Sequence, residues 1–180
     1  MEKLQSILQA DDIPPHYRET PIGLLLEYHN LNRPFESYEK AHLLIGMCMD
    51  NRKYLNIPKK FAYIICTGGA NLRYSEFHIS YALAVGGVRH IALIGHDKCG
   101  MVGLISKKDS FINGLVDGAG WQRQWAEDYF NNFAPLYEIG NEIDFTLFEA
   151  KRLRARYSGI NIVPMLYKID DNLLYLINER

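Results

Sequence analysis

The chain has 180 residues, a formal net charge of −1, 48% hydrophobic residues and 23% charged residues. This length is enough for one domain with a continuous core, and the composition is that of a globular protein. The near-neutral charge argues against a surface for nucleic acid or acidic lipid. The most basic run, KRLRARY at 151–157, lies on a helical pattern and indicates a solvated face. We therefore predict one domain spanning 1–180 and no nucleic-acid partner.

No window of the sequence has the ~20 consecutive apolar residues that a membrane span needs. The N-terminus also lacks a basic start followed by an unbroken apolar stretch, which argues against a secretory signal. We therefore predict a cytoplasmic protein that does not bind membranes. Its three cysteines, Cys48, Cys66 and Cys99, are an odd number. In a reducing compartment, metal binding or catalysis is a better use for them than disulfides.

Residues 1–33 are predicted to form an N-terminal helical segment. MEKLQSILQA at 1–10 fits an amphipathic helix, the Pro14-Pro15 pair ends it, and PIGLLLEYHNLNR at 21–33 fits a second helix. The leucines of this segment have little polar cover. They could pack on a neighbouring subunit or in the core of their own chain, and the pattern leaves both destinations open.

Apolar runs then alternate with helical patterns. Three runs, at 42–48 (HLLIGMC), 61–66 (FAYIIC) and 90–95 (HIALIG), predict buried strands. Between the last two, residues 75–87 predict a helix capped by Ser75 and ended by Gly86-Gly87. Helical patterns at 121–133 and 141–157 precede a late strand at 160–170. This order predicts an α/β fold with a mostly parallel sheet flanked by helices.

Polar clusters follow each of the three predicted strands: CMDNR at 48–52, CTGGAN at 66–71 and GHDKCGM at 95–101. Parallel strands bring their carboxyl ends to one edge of the sheet, where α/β proteins collect their chemistry. His96 and Cys99 are three residues apart, and Cys48 arrives from another strand end. Two thiolates and one imidazole favour zinc, and three protein ligands leave a fourth position open.

The spacing alone leaves simpler roles open for the cysteines and the two tryptophans. An isolated buried cysteine is more often a small hydrophobe than a ligand. We predict that Cys66, at the end of an apolar run, is such a buried inert thiol. Trp121 and Trp125, one helical turn apart, are predicted to lie in a core or an interface.

The combined pattern resembles the β-class carbonic anhydrases. That family has Cys-x-Asp-(small)-Arg, then a helix that begins near a serine, then an apolar strand that leads into His-x-x-Cys-Gly. The matching residues here are Cys48, Asp50, Arg52, Ser75, His96, Cys99 and Gly100. The resemblance is strong over about 40–105 and weaker over about 160–176.

The resemblance implies a zinc-dependent carbonate dehydratase, a lyase that reversibly hydrates carbon dioxide to bicarbonate and a proton through a zinc-bound hydroxide. Cys48, His96 and Cys99 would bind one Zn²⁺ per chain, with Asp50 and Arg52 as a catalytic dyad beside it. The family also implies a homodimer or larger homo-oligomer, with the 1–33 arm at the subunit interface. Two thiolates cancel the charge of Zn²⁺, so activity is expected to rise toward alkaline pH.

The sequence departs from the family at two places. Asn51 stands where the family has serine or another small residue. The second strand ends in CTGG at 66–69 where the family commonly has Arg-Asn-Ala-Gly, so a cation is missing while Gly69, a candidate substrate contact, is kept. This change leaves two alternatives: a hydrolase of carbonyl sulfide or carbon disulfide on the same site, and a noncatalytic zinc-stabilised oligomeric binding protein.

Overall fold

The computed structural model of the chain describes residues 3–179 and is built around one mixed sheet. Its strands are β1 (Leu4–Gln5), β2 (Leu43–Cys48), β3 (Ala62–Thr67), β4 (His90–His96), β5 (Asn161–Lys168) and β6 (Leu173–Ile177). They lie in the order β1-β6-β5-β4-β2-β3. The four strands β3, β2, β4 and β5 are parallel, whereas β6 and β1 are antiparallel to their neighbours.

Helices cover both faces of this sheet. They are α1 (Pro21–Asn30), α2 (Glu76–Ala84), α3 (Lys108–Ala119), α4 (Arg123–Tyr137) and α5 (Glu142–Arg156). Alternate residues of each strand point to opposite faces. Ile45 and Ile94 pack with α1 on one face, while Leu44 and Leu93 pack with α2 and α5 on the other. The predicted α/β class and mostly parallel sheet are confirmed.

The prediction of a helix at 1–10 is wrong for the described residues of that segment. Leu4–Gln5 form a short strand whose partners in β6 are Ile177 and Leu176, and Ala10–Asp12 form a 3₁₀ turn. The Asp12 carboxylate accepts hydrogen bonds from the N–H groups of Leu8 and Gln9, which gives this backbone a partner outside any helix. Strand β1 also covers the outer edge of β6, which a helix would leave unpaired.

The second predicted helix is present as α1, and its leucines pack in the core of their own chain. Pro21 occupies the first helical position, and the Thr20 hydroxyl accepts a hydrogen bond from the Gly23 N–H. Leu25 and Leu26 are fully buried. These two leucines therefore need no neighbouring subunit. Among the described residues of this segment, Leu8 is the large apolar residue left uncovered, with 66% of its surface exposed.

The strand predicted at 61–66 is present as β3, but the prediction that it is buried is wrong. It is an edge strand that pairs with β2 alone, so that Tyr63 is 39% exposed and Ile64 is 49% exposed. Cys66 is exposed as well, so the predicted inert buried thiol is also wrong. An apolar run indicates a strand, but it does not tell which strand lies at the edge of the sheet.

The sequence patterns do not indicate α3 or β6. Two glycines, Gly114 and Gly118, interrupt the apolar spacing of α3, whose Ile112 nevertheless packs against Phe130 of α4. Strand β6 follows a turn at Asn172, where φ is 59°, and returns antiparallel to β5. Within 3–179, no helix is long and apolar enough to cross a membrane.

Replacing Gly23 by alanine is expected to lower the free energy of unfolding by about 1–3 kcal/mol, because overpacking forces the surrounding backbone to move. A β-carbon there would lie 2.2 Å from the Tyr17 carbonyl oxygen. Gly114→Ala is the matched control, since a β-carbon there meets nothing within 4 Å. Urea denaturation should show Gly114→Ala unchanged or stabilised by about 0.5–1 kcal/mol. Equal losses in both variants would contradict this packing.

Candidate metal centre

Two neighbouring parallel strands bring the predicted ligands together. Cys48 is the last residue of β2 and His96 the last residue of β4, while Cys99 follows in the turn after β4. The ligand atoms of these three residues all lie within 4.8 Å of one another. The two sulfur atoms are 3.9 Å apart. All three residues are buried, with relative exposures of 4%, 1% and 6%.

The donor geometry fits a tetrahedral zinc ion. Two thiolates at ~2.3 Å from such an ion lie roughly 3.8 Å apart, close to the observed sulfur separation. His96 is oriented by the carbonyl oxygen of Asp97, which lies 2.8 Å from Nδ1 and accepts a hydrogen bond from it. The other ring nitrogen, Nε2, is buried and has no hydrogen-bond partner among the described residues. A metal ion would give this nitrogen the partner it lacks.

Backbone N–H groups support both thiolates. The Gly69 N–H donates to Cys48 Sγ at 3.3 Å, and the Met101 N–H donates to Cys99 Sγ at 3.5 Å. Gly69 adopts φ 64°, a left-handed conformation that glycine reaches without a steric penalty. Gly69, the predicted substrate contact, thus lies directly beside a ligand of the metal centre. Its contact with substrate stays a prediction.

The two sulfur atoms are in hydrogen-bond contact. Hydrogen bonding from Cys99 is the largest effect that lowers the pKa of Cys48, and His96 and the Asp50 and Gly69 backbones add to it. The same contact raises the pKa of Cys99, since a second thiolate beside the first is unfavourable. Metal binding must therefore displace a proton from this pair.

Asp50 and Arg52, the dyad that the resemblance implies, are in contact, and their catalytic role stays a prediction. Arg52 donates from Nε to Oδ1 at 2.9 Å and from Nη2 to Oδ2 at 2.7 Å, and its backbone N–H also donates to Oδ1. These hydrogen bonds hold the pKa of Asp50 well below its usual range. Asp50 Oδ2 lies 3.8 Å from His96 Nε2, so the carboxylate borders the metal centre.

Arg52 also fixes the turn that carries Cys99. Its Nη2 donates to the Lys98 carbonyl oxygen at 2.8 Å. Lys98 has φ 55°, an uncommon conformation for a residue with a side chain, and it turns the chain between His96 and Cys99. One guanidinium group therefore holds both the carboxylate and the ligand turn. Asn51, the departure between Asp50 and Arg52, is exposed.

Sequence reasoning missed two residues that support the centre. Glu142, at the start of α5, accepts the Cys99 N–H at 3.1 Å. Lys53 donates from Nζ to the carbonyl oxygens of Cys48 and Asp50, at 2.6 and 3.1 Å. Lys53 directly follows CMDNR and could have been suspected from that position. Glu142 is 43 residues from Cys99, so no local pattern indicates it.

The other predicted features lie around this centre with smaller roles. Ser75 directly precedes α2, as predicted, but its side chain makes no capping hydrogen bond. Trp125 is 62% exposed and Trp121 is 37% exposed, so neither is a core residue of this chain. The CTGG turn at 66–69 brings no charged side chain to the edge of the metal centre.

No protein-family model and no curated protein matches the sequence. Solved structures do match the fold. A β-carbonic anhydrase from Trichomonas vaginalis is 19% identical, with a TM-score of 0.65 over 83% of this chain and 91% of that one. The chain has the fold of the β-carbonic anhydrases. A carbonic anhydrase from Glaciozyma antarctica is also 19% identical, with a TM-score of 0.61 over 92% of this chain and 96% of that one.

The β-carbonic-anhydrase fold is shared by another kind of enzyme. A structure of carbon disulfide hydrolase is 17% identical, with a TM-score of 0.54 over 78% of this chain and 80% of that one. At these identities the similarity shows the fold alone. The chemistry of this chain must therefore be argued from its own residues.

Cys48→Ser and Cys99→Ser are each expected to lose most of the zinc that the wild type carries, because a serine hydroxyl is a far weaker zinc ligand than a thiolate. Cys66→Ser is the matched control, since Cys66 is an exposed cysteine outside the ligand cluster. Metal content per chain after dialysis against a weak chelator measures the effect. Comparable zinc loss in Cys66→Ser, or a wild type without metal, would contradict the assignment.

Proposed function

We propose that this protein is a zinc-dependent carbonate dehydratase, a lyase that reversibly hydrates carbon dioxide to bicarbonate and a proton. The observation that carries this proposal is the pairing of a buried Cys2His cluster with an ionised carboxylate at its border. Carbonate dehydratases of the same fold support it. The three ligands would hold one Zn²⁺ per chain, and zinc bound there would supply Lewis-acid activation of a water molecule.

Asp50 would orient the attacking water. Its carboxylate is a hydrogen-bond acceptor, and Oδ2 lies 3.8 Å from His96 Nε2, at the border of the cluster. A carboxylate whose pKa is lowered is a weak base. Its contribution would therefore be to accept a hydrogen bond from the water and aim the oxygen at the substrate carbon, while the proton would pass to bulk solvent.

Arg52 would keep Asp50 in this role. With three hydrogen bonds from Arg52, the carboxylate stays ionised and points along one direction. This pairing also competes with any coordination of the metal by Asp50, so a fourth position would stay open to water. The noncatalytic alternative receives less support, because a structural zinc site is closed by four protein ligands and the described residues bring only three together.

Asp50→Ala is expected to lower kcat/KM for carbon dioxide hydration by about 10²-fold or more while zinc content stays near one per chain, because it removes the orienting acceptor. Arg52→Ala should also reduce the rate, since Asp50 loses the two hydrogen bonds from the guanidinium group. Asp117→Asn, at an exposed position of α3, is the control and should keep the wild-type rate. Stopped-flow assays with a pH indicator measure the rate.

A zinc-loaded wild type that shows no hydration above background at about pH 8.5 would overturn the proposal. That pH is chosen because two thiolates weaken the acidification of water by zinc.

Hydrolysis of carbonyl sulfide or carbon disulfide is the second candidate. Two observations favour it: the CTGG turn brings no cation to hold bicarbonate, and a carbon disulfide hydrolase shares the fold. Sulfide release by the same protein sample separates the two candidates. Sulfide formation without carbon dioxide hydration would favour the second candidate. No sulfide release from either sulfur compound would exclude it.

We also propose that the protein forms a homodimer or larger homo-oligomer and lies in the cytoplasm. Strand β3 leaves one edge unpaired, and Phe77 of the adjacent α2 and Val85, directly after α2, are 81% and 69% exposed. An apolar edge strand of this kind invites pairing with another chain. The 1–33 arm, with its exposed Leu8, is the second candidate contact. Three free cysteines agree with a reducing compartment.

Phe77→Asp is expected to shift the protein from an oligomer toward a monomer, because it places a charge on the apolar face beside β3. Phe148→Asp is the matched control on α5, where Phe148 is 54% exposed. Light scattering coupled to size-exclusion chromatography gives the mass. A monomeric wild type, or the same mass for wild type and Phe77→Asp, would contradict this contact.

A further inference from the structure

A cavity of about 570 Å³ opens beside the metal centre. One wall is formed by residues next to the ligands, namely Met49, Thr67, Gly68 and Met101. The opposite wall is formed by aromatic residues of α3 and α4, including Phe111 and Phe133. The cavity therefore lies between the carboxyl edge of the sheet and the α3–α4 pair.

The lining of this cavity is neutral and rich in rings. Among the described residues that line it, none has a charged side chain, and six are aromatic. Two methionines, Met49 and Met101, add polarisable sulfur atoms, which contact rings favourably. An anion such as bicarbonate would lose its hydration here without gaining a cationic partner. A neutral molecule with an aromatic ring gains both apolar burial and ring contacts.

The size of the cavity does not match carbon dioxide. Pockets for small-molecule ligands measure about 300–1,000 Å³, whereas a cavity of ~150 Å³ already holds benzene. Carbon dioxide has three atoms and would leave most of the space unfilled. The volume suits a molecule of about two fused or linked rings.

The cavity shares its wall with the metal centre. The Met101 side chain lines the cavity while its N–H donates to Cys99 Sγ. Gly68 lines the cavity, and the next residue, Gly69, donates its N–H to Cys48 Sγ. A β-carbon on Gly68 would lie 3.0 Å from Met101 Sδ, so these two segments pack closely. A ligand that moves them changes the hydrogen bonds to both thiolates.

We propose that this cavity binds a neutral molecule with two aromatic rings, and that its occupant alters the metal centre through the Gly68–Gly69 and Met101 segments. The binding of this molecule goes beyond the proposed activity and does not depend on it. The effect of the bound molecule on the ligand geometry, which we call coupling, rests on the proposed metal centre.

The first test uses prodan, a neutral naphthalene derivative with two fused rings whose fluorescence rises in apolar surroundings. Zinc-loaded wild type should bind one probe per chain in a saturable titration. Phe133→Asp and Tyr74→Asp replace partly exposed rings on two sides of the cavity and should each weaken binding at least tenfold. Phe148→Asp, outside the lining, should bind as the wild type does. Circular dichroism verifies that each variant is folded.

The reactivity of the Cys66 thiol gives a second measurement of probe binding, and it can be made on the wild-type cavity. It is exposed and lines the cavity, whereas Cys48 and Cys99 are buried. Saturating probe should slow the reaction of Cys66 with a thiol reagent at least several-fold in the zinc-loaded protein. Cys66→Ser supplies the background reaction of the other two cysteines.

Coupling is tested in cobalt-substituted protein, where the visible absorption bands report the ligand geometry. Saturating probe should shift these bands in the wild type, and the shift should be absent in Phe133→Asp at the same probe concentration. An unshifted spectrum with bound probe would overturn the coupling. Because this measurement needs no turnover, an inactive protein that still binds the probe would refute the proposed function alone.

Three results would overturn the binding site: no saturable binding, equal binding by Phe133→Asp and Phe148→Asp, or an affinity that falls as protein concentration rises. The last result would show that a second copy of the chain covers the cavity.

Discussion

The parallel pairing of β2 with β4 is the constraint on which the rest of the structure depends. Met47 is level with Ile94 in this pair, so β2 ends at Cys48 and β4 ends one residue further along, at His96. Cys48 and His96 therefore leave the sheet side by side, although they are far apart in the chain. The turn after β4 then needs only three residues to bring Cys99 to the same place. The metal cluster is a direct consequence of this register.

Hydrogen bonds connect the polar groups around the cluster to one another. Arg52 connects the Asp50 carboxylate to the Lys98 carbonyl, and Glu142 accepts the Cys99 N–H. Each connection gives a hydrogen-bond partner to a polar group beside the cluster. His96 Nε2 is buried within the cluster and has no hydrogen-bond partner within 3–179, and Thr67 Oγ1 of the neighbouring turn also has none. The free nitrogen between two cysteine sulfur atoms is suited to a metal ion.

Charge is distributed unevenly around this edge of the sheet. An ion pair, Asp50–Arg52, borders the cluster on one side, whereas the cavity beyond Gly68 and Met101 is lined by uncharged residues. Water can be oriented on the charged side, and apolar molecules gain free energy on the other. The CTGG turn lines the neutral side through Cys66, Thr67 and Gly68, while the N–H of its last residue, Gly69, donates to Cys48 Sγ.

The sequence by itself determined the fold class, because alternating apolar runs and helical patterns are local signals. It also placed Cys48, His96 and Cys99 at one edge of the sheet, because these residues end or follow apolar runs. The pairing of Asp50 with Arg52 came from the resemblance to the β-class carbonic anhydrases. Only the tertiary structure decided that β3 is an exposed edge strand, that Leu4–Gln5 pair with β6, and that Glu142 supports Cys99. These features depend on which segments become neighbours across long stretches of chain. The spacing of apolar residues along the chain shows which faces of a helix or strand are apolar, but it does not show which element packs against them.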